Sequence, residues 1–170
     1  MKTRFLVAAA LMASMVATAA HALEQAAIPP SGVRVMTGQA TGTFEVKVKP
    51  LPEDVKVQGV AVGRMSIDKV WSGDIVGTSK GEMMTTGGEV KGSGGYVAVE
   101  VMDVSLKGRR GTFTLMHHAT MKNNADFRMN IVVVPDSGTG DLAGLAGKLE
   151  IIIEGAKHSY RLDYTLPGGM

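Results

Sequence analysis

Along most of the chain apolar and polar residues alternate one by one, the spacing of strands whose successive side chains point to opposite faces. Thr43 to Val48 sets Phe44, Val46 and Val48 against Glu45 and Lys47, and Phe127 to Val133 aligns Phe127, Met129, Ile131 and Val133. Leu149, Ile151 and Ile153 alternate with Glu150 and Glu154, and His158, Tyr160, Leu162, Tyr164 and Leu166 with Ser159, Arg161, Asp163 and Thr165. Further strands are expected at about 58–68, 69–79, 95–106 and 112–122, about eight in all, joined by glycine turns. No stretch combines helix caps with a 3.6-residue period, and no internal repeat is found. The chain is therefore expected to be all-β. Antiparallel strands with charge on one face need cover for the other, and a closed barrel of about eight strands provides it within one domain. A two-sheet sandwich is the other arrangement that would.

The ends of the chain change this picture. Lys2 and Arg4 precede an apolar run from Phe5 to Ala20, and Ala20-His21-Ala22 has the small-residue spacing of a cleavage site. Residues 1–22 read as a signal peptide, which places the protein in the periplasm or outside the cell, with no membrane association after cleavage. Residues 23–37, with Pro29-Pro30, read as a flexible leader, and 38–170 as a single barrel domain. The 18 basic residues include Lys2 and Arg4, so the remainder balances the 16 acidic ones. Such neutrality excludes the clustered basic face of a nucleic-acid binder. With no cysteine, a disulfide scaffold, a thiol nucleophile, a thiolate metal site and a lipid-anchoring cysteine are all excluded.

Two glycine motifs suggest enzymes and fail on context. Gly77-Thr78-Ser79-Lys80-Gly81 matches the G-x-S-x-G elbow, but no helix follows it, so the run reads as a β-turn. Gly138-Thr139-Gly140-Asp141-Leu142-Ala143-Gly144 looks like a phosphate loop, yet it lacks the helix and carries Asp141 where an anion would be repelled. Turn glycines explain both.

The adjacent His117 and His118 point to opposite faces of a strand and cannot share a metal; no metal or cofactor is called for. Strands 95–106 and 112–122 flank Lys107-Gly108-Arg109-Arg110, and a Gly108-Arg109 turn or a four-residue loop gives the same pairing, with Glu100 directly opposite His117. Their face, with Tyr96, Ala98, Met102, Phe113 and Leu115, is the more apolar one and is assigned inward. An acid and an imidazole there are costly to bury unpaired. Paired, they form either a structural bridge or the polar groups of a pocket, where perturbed titration suits acid–base work. His158, Tyr160 and Tyr164 share the inward face of the last strand and are candidates to join them.

Gly63-Arg64-Met65-Ser66-Ile67-Asp68-Lys69, Gly73 to Met83, Lys91 to Ala98 with Glu100, Gly111 to His117, Val134 to Gly147 and Lys157-His158-Ser159-Tyr160 together resemble a bacterial domain-of-unknown-function family, number 3224. The likeness runs from about Gly42 to Leu166. It departs at Ala119, where the family tends to glycine, and at Met116, where glutamine is common. The resemblance implies an allene-oxide-cyclase-like barrel and no assigned activity. The leading expectation is an exported barrel that binds a small apolar molecule in its cavity, lined by Tyr96, Glu100, His117, His158, Tyr160 and Tyr164. An isomerase- or cyclase-like enzyme using Glu100 and His117, and a structural or protein-interaction domain with a filled core, are the alternatives. Oligomeric state is not legible.

Overall fold

The computed structural model describes residues 34–52 and 60–168; residues 1–22, expected to be a signal peptide, and most of 23–37, expected to be a leader, lie outside them. Eight strands follow in order: β1 (Val35–Leu51), β2 (Ala61–Gly73), β3 (Ile75–Gly87), β4 (Gly94–Leu106), β5 (Arg109–Met121), β6 (Arg128–Val133), β7 (Ala146–Glu154) and β8 (Lys157–Pro167). Each runs antiparallel to its neighbours, and β8 returns to pair with β1, closing the barrel. The expected closed architecture is observed. β1 begins at Val35 rather than after residue 37, because Val35, Met36 and Thr37 find backbone partners in Pro167, Leu166 and Thr165.

The second and third strands differ from their expected limits. The turn between them sits at Gly73-Asp74, and Gly77 to Gly81 is not a β-turn but the middle of β3, paired on both sides. Gly81 is needed for a close approach: a Cβ there would come within 2.8 Å of the Glu100 Cα on β4. Here glycine serves interstrand contact, which mimics turn composition. Asp74 ties this turn down. Its backbone N–H donates to the Thr41 carbonyl at 3.0 Å, and its carboxylate accepts from the Thr41 N–H at 2.9 Å.

One end of the barrel is sealed. The β6–β7 connection folds across it through a single 3₁₀ turn (Gly140–Leu142), inserting Leu142 and Leu145, at 0% and 1% exposure, into the core cluster that also contains Phe113 and Leu106. Thr139 Oγ1 accepts the Thr112 N–H at 3.0 Å and Ser137 Oγ the Thr114 N–H at 3.0 Å, so hydroxyls complete the edge of β5 where β6 has ended. The apparent phosphate loop is this plug; Asp141 accepts weakly from the Arg110 N–H at 3.3 Å. Above it Ile75, Trp71, Met102, Leu115, Tyr160 and Leu162 fill the cross-section.

Toward the opposite end the inner face loosens. Val46, Met65, Met83, Tyr96, Met129, Ile151 and His158 are only half-buried, and Val48, the next inward position on β1, is 45% exposed. On this side β6 and β7 share just two residue pairs, Ile131–Leu149 and Val132–Lys148. A cleft of about 410 Å³ opens along that seam beside Phe127, Met129 and Ile151.

The plug generates a prediction. Leu142→Ala removes a fully buried side chain and should cost about 2–5 kcal/mol, lowering Tm by roughly 10 °C with the β-sheet circular dichroism retained. A change below about 2 °C would show that the loop is not part of the core.

Candidate functional site

Alternation along β2 turns Ile67, Lys69 and Trp71 inward, so a lysine enters an apolar face. Ser79 on β3, Glu100 on β4 and His117 on β5 do the same, and four consecutive strands deliver one polar residue each to the middle of the barrel. All four are buried: Lys69 at 5%, Ser79 at 2%, Glu100 at 0% and His117 at 3% exposure.

The carboxylate of Glu100 is the hub. Lys69 Nζ donates to Oε2 at 2.7 Å, and the Ser79 hydroxyl donates to Oε1 while accepting from Trp71 Nε1 at 2.8 Å. His117 Nε2 lies 3.1 Å from Oε2, off the line that a strong hydrogen bond needs. The ammonium of Lys69 also stands 4.8 Å from the ring centre of Phe44 and 5.1 Å from that of Trp71, where the ring quadrupoles attract a desolvated cation by about 1–2 kcal/mol.

Two effects compete at Glu100. Burial pushes its carboxyl up, but the His117 imidazole, the charge and hydrogen bond of Lys69 and the Ser79 hydroxyl outweigh it and hold the group down at about 2. Burial, reinforced by the nearby charge of Glu100, raises the Tyr96 hydroxyl.

The expected pair is thus in contact, but its register is corrected. Lys107-Gly108 forms the β4–β5 turn, with both residues at positive φ (48° and 87°), the signature of a tight hairpin that glycine stabilises at its second position. Leu106 therefore faces Arg109, Glu100 faces Leu115, and His117 faces Ala98. Glu100 and His117 meet on the diagonal. The face assignment is unaffected, since the pairing shifts by two residues and preserves the alternation. His118 points outward and is exposed.

The last-strand candidates are placed around this cluster rather than in it. Tyr160 is core: its hydroxyl accepts the Ile75 N–H at 2.7 Å, and its ring meets Trp71 edge-on at 5.1 Å. His158 stacks on Phe44 at 5.3 Å, on the far side from Lys69's partner Trp71. Tyr164, half-buried, lies over Gly38 nearer the sealed end. Lys69, Ser79 and Trp71 were not foreseen, although a cation between Ile67 and Trp71 in an alternating run is the signal that identifies the first of them.

The sequence profile of the family described as Protein of unknown function (DUF3224) matches residues 40–164. The chain belongs to this family. The matched span begins in β1, ends in β8 and contains all four buried polar residues. The crystal structure of a protein of unknown function from the DUF3224 family of Shewanella oneidensis MR-1 is similar at 41% identity, with a TM-score of 0.71, over 76% of this chain and 97% of that one. No curated protein matches.

The depressed carboxyl fixes a pH dependence. In the unfolded chain Glu100 titrates near 4.5 and in the folded barrel at about 2, so its stabilisation is complete above the first value and is lost as pH falls through the second. That gap corresponds to about 3 kcal/mol. Urea unfolding between pH 7 and pH 2 should show wild type losing about that much more stability than Glu100→Gln; parallel curves would contradict it.

Proposed function

We propose that the protein binds one small, largely apolar molecule in the open end of its barrel, above the floor formed by Lys69, Glu100 and His117, and that it does so in the periplasm or outside the cell. The observation that carries this reading is the change along the inner face from sealed core to half-exposed methionines. Met65 and Met83 are cross-strand partners at the mouth, Met129 stands across from them on β6, and unbranched thioethers accommodate ligands of varied shape. Alanines at 98 and 119 keep the wall thin beside His117 and Met129. An eight-stranded barrel is of the size that holds one small ligand, and the β6–β7 cleft widens the approach on one side.

Binding is favoured over acid–base turnover by the state of Glu100. A carboxyl held at about 2 is a weak base at neutral pH, where an effective general base has a value near the working pH. Glu100 instead orients Lys69 and His117, leaving Tyr96 and His117 as the polar contacts nearest the vestibule.

Met83 and its neighbour Met84 face opposite sides of β3, which makes them a matched pair for a test. Titration with the apolar fluorophore 1-anilinonaphthalene-8-sulfonate should show saturable binding to the folded wild type. Met83→Lys should weaken it at least tenfold, and Met84→Lys should leave it unchanged. Absence of saturable binding, or loss on Met84→Lys alone, would overturn the vestibule as the site.

A further inference from the structure

In an up-and-down barrel successive connections alternate between the two ends. Those after β2, β4 and β6 lie at the sealed end, and those after β1, β3, β5 and β7 surround the open mouth. The two ends differ in what they show to solvent. Among the described residues the sealed-end connections expose no large apolar side chain, and Lys107 there closes on Asp74 at 3.5 Å. At the mouth, Val48 near the end of β1, Val90 between β3 and β4, Phe127 at the entry to β6 and Ile153 near the end of β7 are 45–60% exposed. The same four segments carry Lys49, Lys91, Lys122 and Lys157, all exposed. Among the described residues the lysines in ion pairs are Lys69, Lys80 and Lys107, so none of these four is engaged. The projections are also held in place. The Asn123 N–H donates to Ser93 Oγ at 3.0 Å and the Asn124 N–H to the Gly92 carbonyl at 2.8 Å, tying the connections of Val90 and Phe127 to each other.

We propose that the mouth of the barrel docks on a bilayer that carries anionic lipid, with Val48, Val90, Phe127 and Ile153 at the acyl boundary and the four lysines among the phosphates. The inference rests on the vestibule being the site of an apolar ligand, because docking lets such a molecule pass between bilayer and barrel without crossing water. Shape selects a bilayer over a folded partner. The apolar side chains come from four segments around an opening, and a fluid acyl layer closes around separate projections where a close-packed protein surface would leave voids. Charge agrees. The four lysines face only Glu89 and Glu154 in these segments, since Asp126 is engaged by Arg128 through two bonds of 3.0 Å. A positive surplus beside apolar tips gives the two attractions that add at an anionic membrane surface. Such peripheral contact needs neither a lipid anchor nor a spanning helix, so it differs from the membrane attachment that the sequence argues against.

Sedimentation of the purified protein with vesicles of phosphatidylcholine containing about 30% phosphatidylglycerol tests the docking. Wild type should pellet with these vesicles and bind pure phosphatidylcholine at least tenfold more weakly. Phe127→Asp with Ile153→Asp, and separately Lys122→Glu with Lys157→Glu, should each lower the partition coefficient at least tenfold. Both should melt as wild type does, because all four side chains are exposed. Val99→Asp, an exposed substitution in the middle of β4, should bind as wild type. Wild type that stays in the supernatant, double variants that pellet undiminished, or loss on Val99→Asp alone would overturn the proposal. Saturable fluorophore binding without vesicle binding overturns the docking and leaves the vestibule standing; vesicle binding without fluorophore binding does the reverse.

Discussion

A carboxylate with no contact with solvent sits at the centre of this barrel, and most of the arrangement around it follows from keeping that charge. Moving an ion into such surroundings costs several kcal/mol even after relaxation, and it is retained only where an opposite charge and hydrogen-bond donors compensate it. Lys69 and Ser79 supply them from two strands, and the His117 imidazole lies 3.1 Å from the same carboxylate on a third. The compensation is thereby also a constraint on register. A slip of one residue in β4 would turn Glu100 out to solvent and Val99 in, and a slip of two would leave Lys69 and Ser79 without their acceptor.

The cation needs surroundings of its own, and aromatic rings provide them. Phe44 and Trp71 lie 4.8 Å apart between centres and flank the Lys69 ammonium, while Trp71 in turn meets Tyr160. Tyr160 passes beside Gly42 on the adjoining strand to reach the Ile75 N–H near the sealed end. Charge cluster, aromatic layer and leucine plug thus form a continuous filling from mid-barrel downward. Among the described residues no such layer lies above Glu100, and the methionine-lined inner face is half-exposed. The buried cluster is thus pinned by partners on separate strands, while the inner face beyond it carries the unbranched side chains of Met65, Met83 and Met129.

Alternation made the fold legible: the inward face of β4 and β5, the last strand and the closure of about eight strands all follow from side chains pointing alternately to two sides. Glycine misled where it serves contact instead of turning. Gly77 and Gly81 read as a turn because nothing local distinguishes a glycine under a neighbouring backbone from one at a bend. A second misplaced break, expected between residues 68 and 69 where β2 in fact runs on to Gly73, separated Lys69 from Ile67 and hid the cation that Glu100 requires. The hairpin register escaped for a related reason, since Lys107 adopts the left-handed conformation, which its side chain does not advertise. Because the error was an even number of residues, the Glu100–His117 contact survived it as a diagonal one.

If compensation at Glu100 governs the barrel, its charge state is the quantity to measure. A side-chain carboxyl ¹³C titration of protein labelled at glutamate, assigned with Glu100→Gln, reports it without reference to stability. The Glu100 resonance should keep the shift of an ionised carboxylate as the surface glutamates titrate, moving only toward a midpoint of about 2. A midpoint at or above 4.5, the ordinary value, would show that burial prevails over Lys69, Ser79 and His117, and would contradict the account.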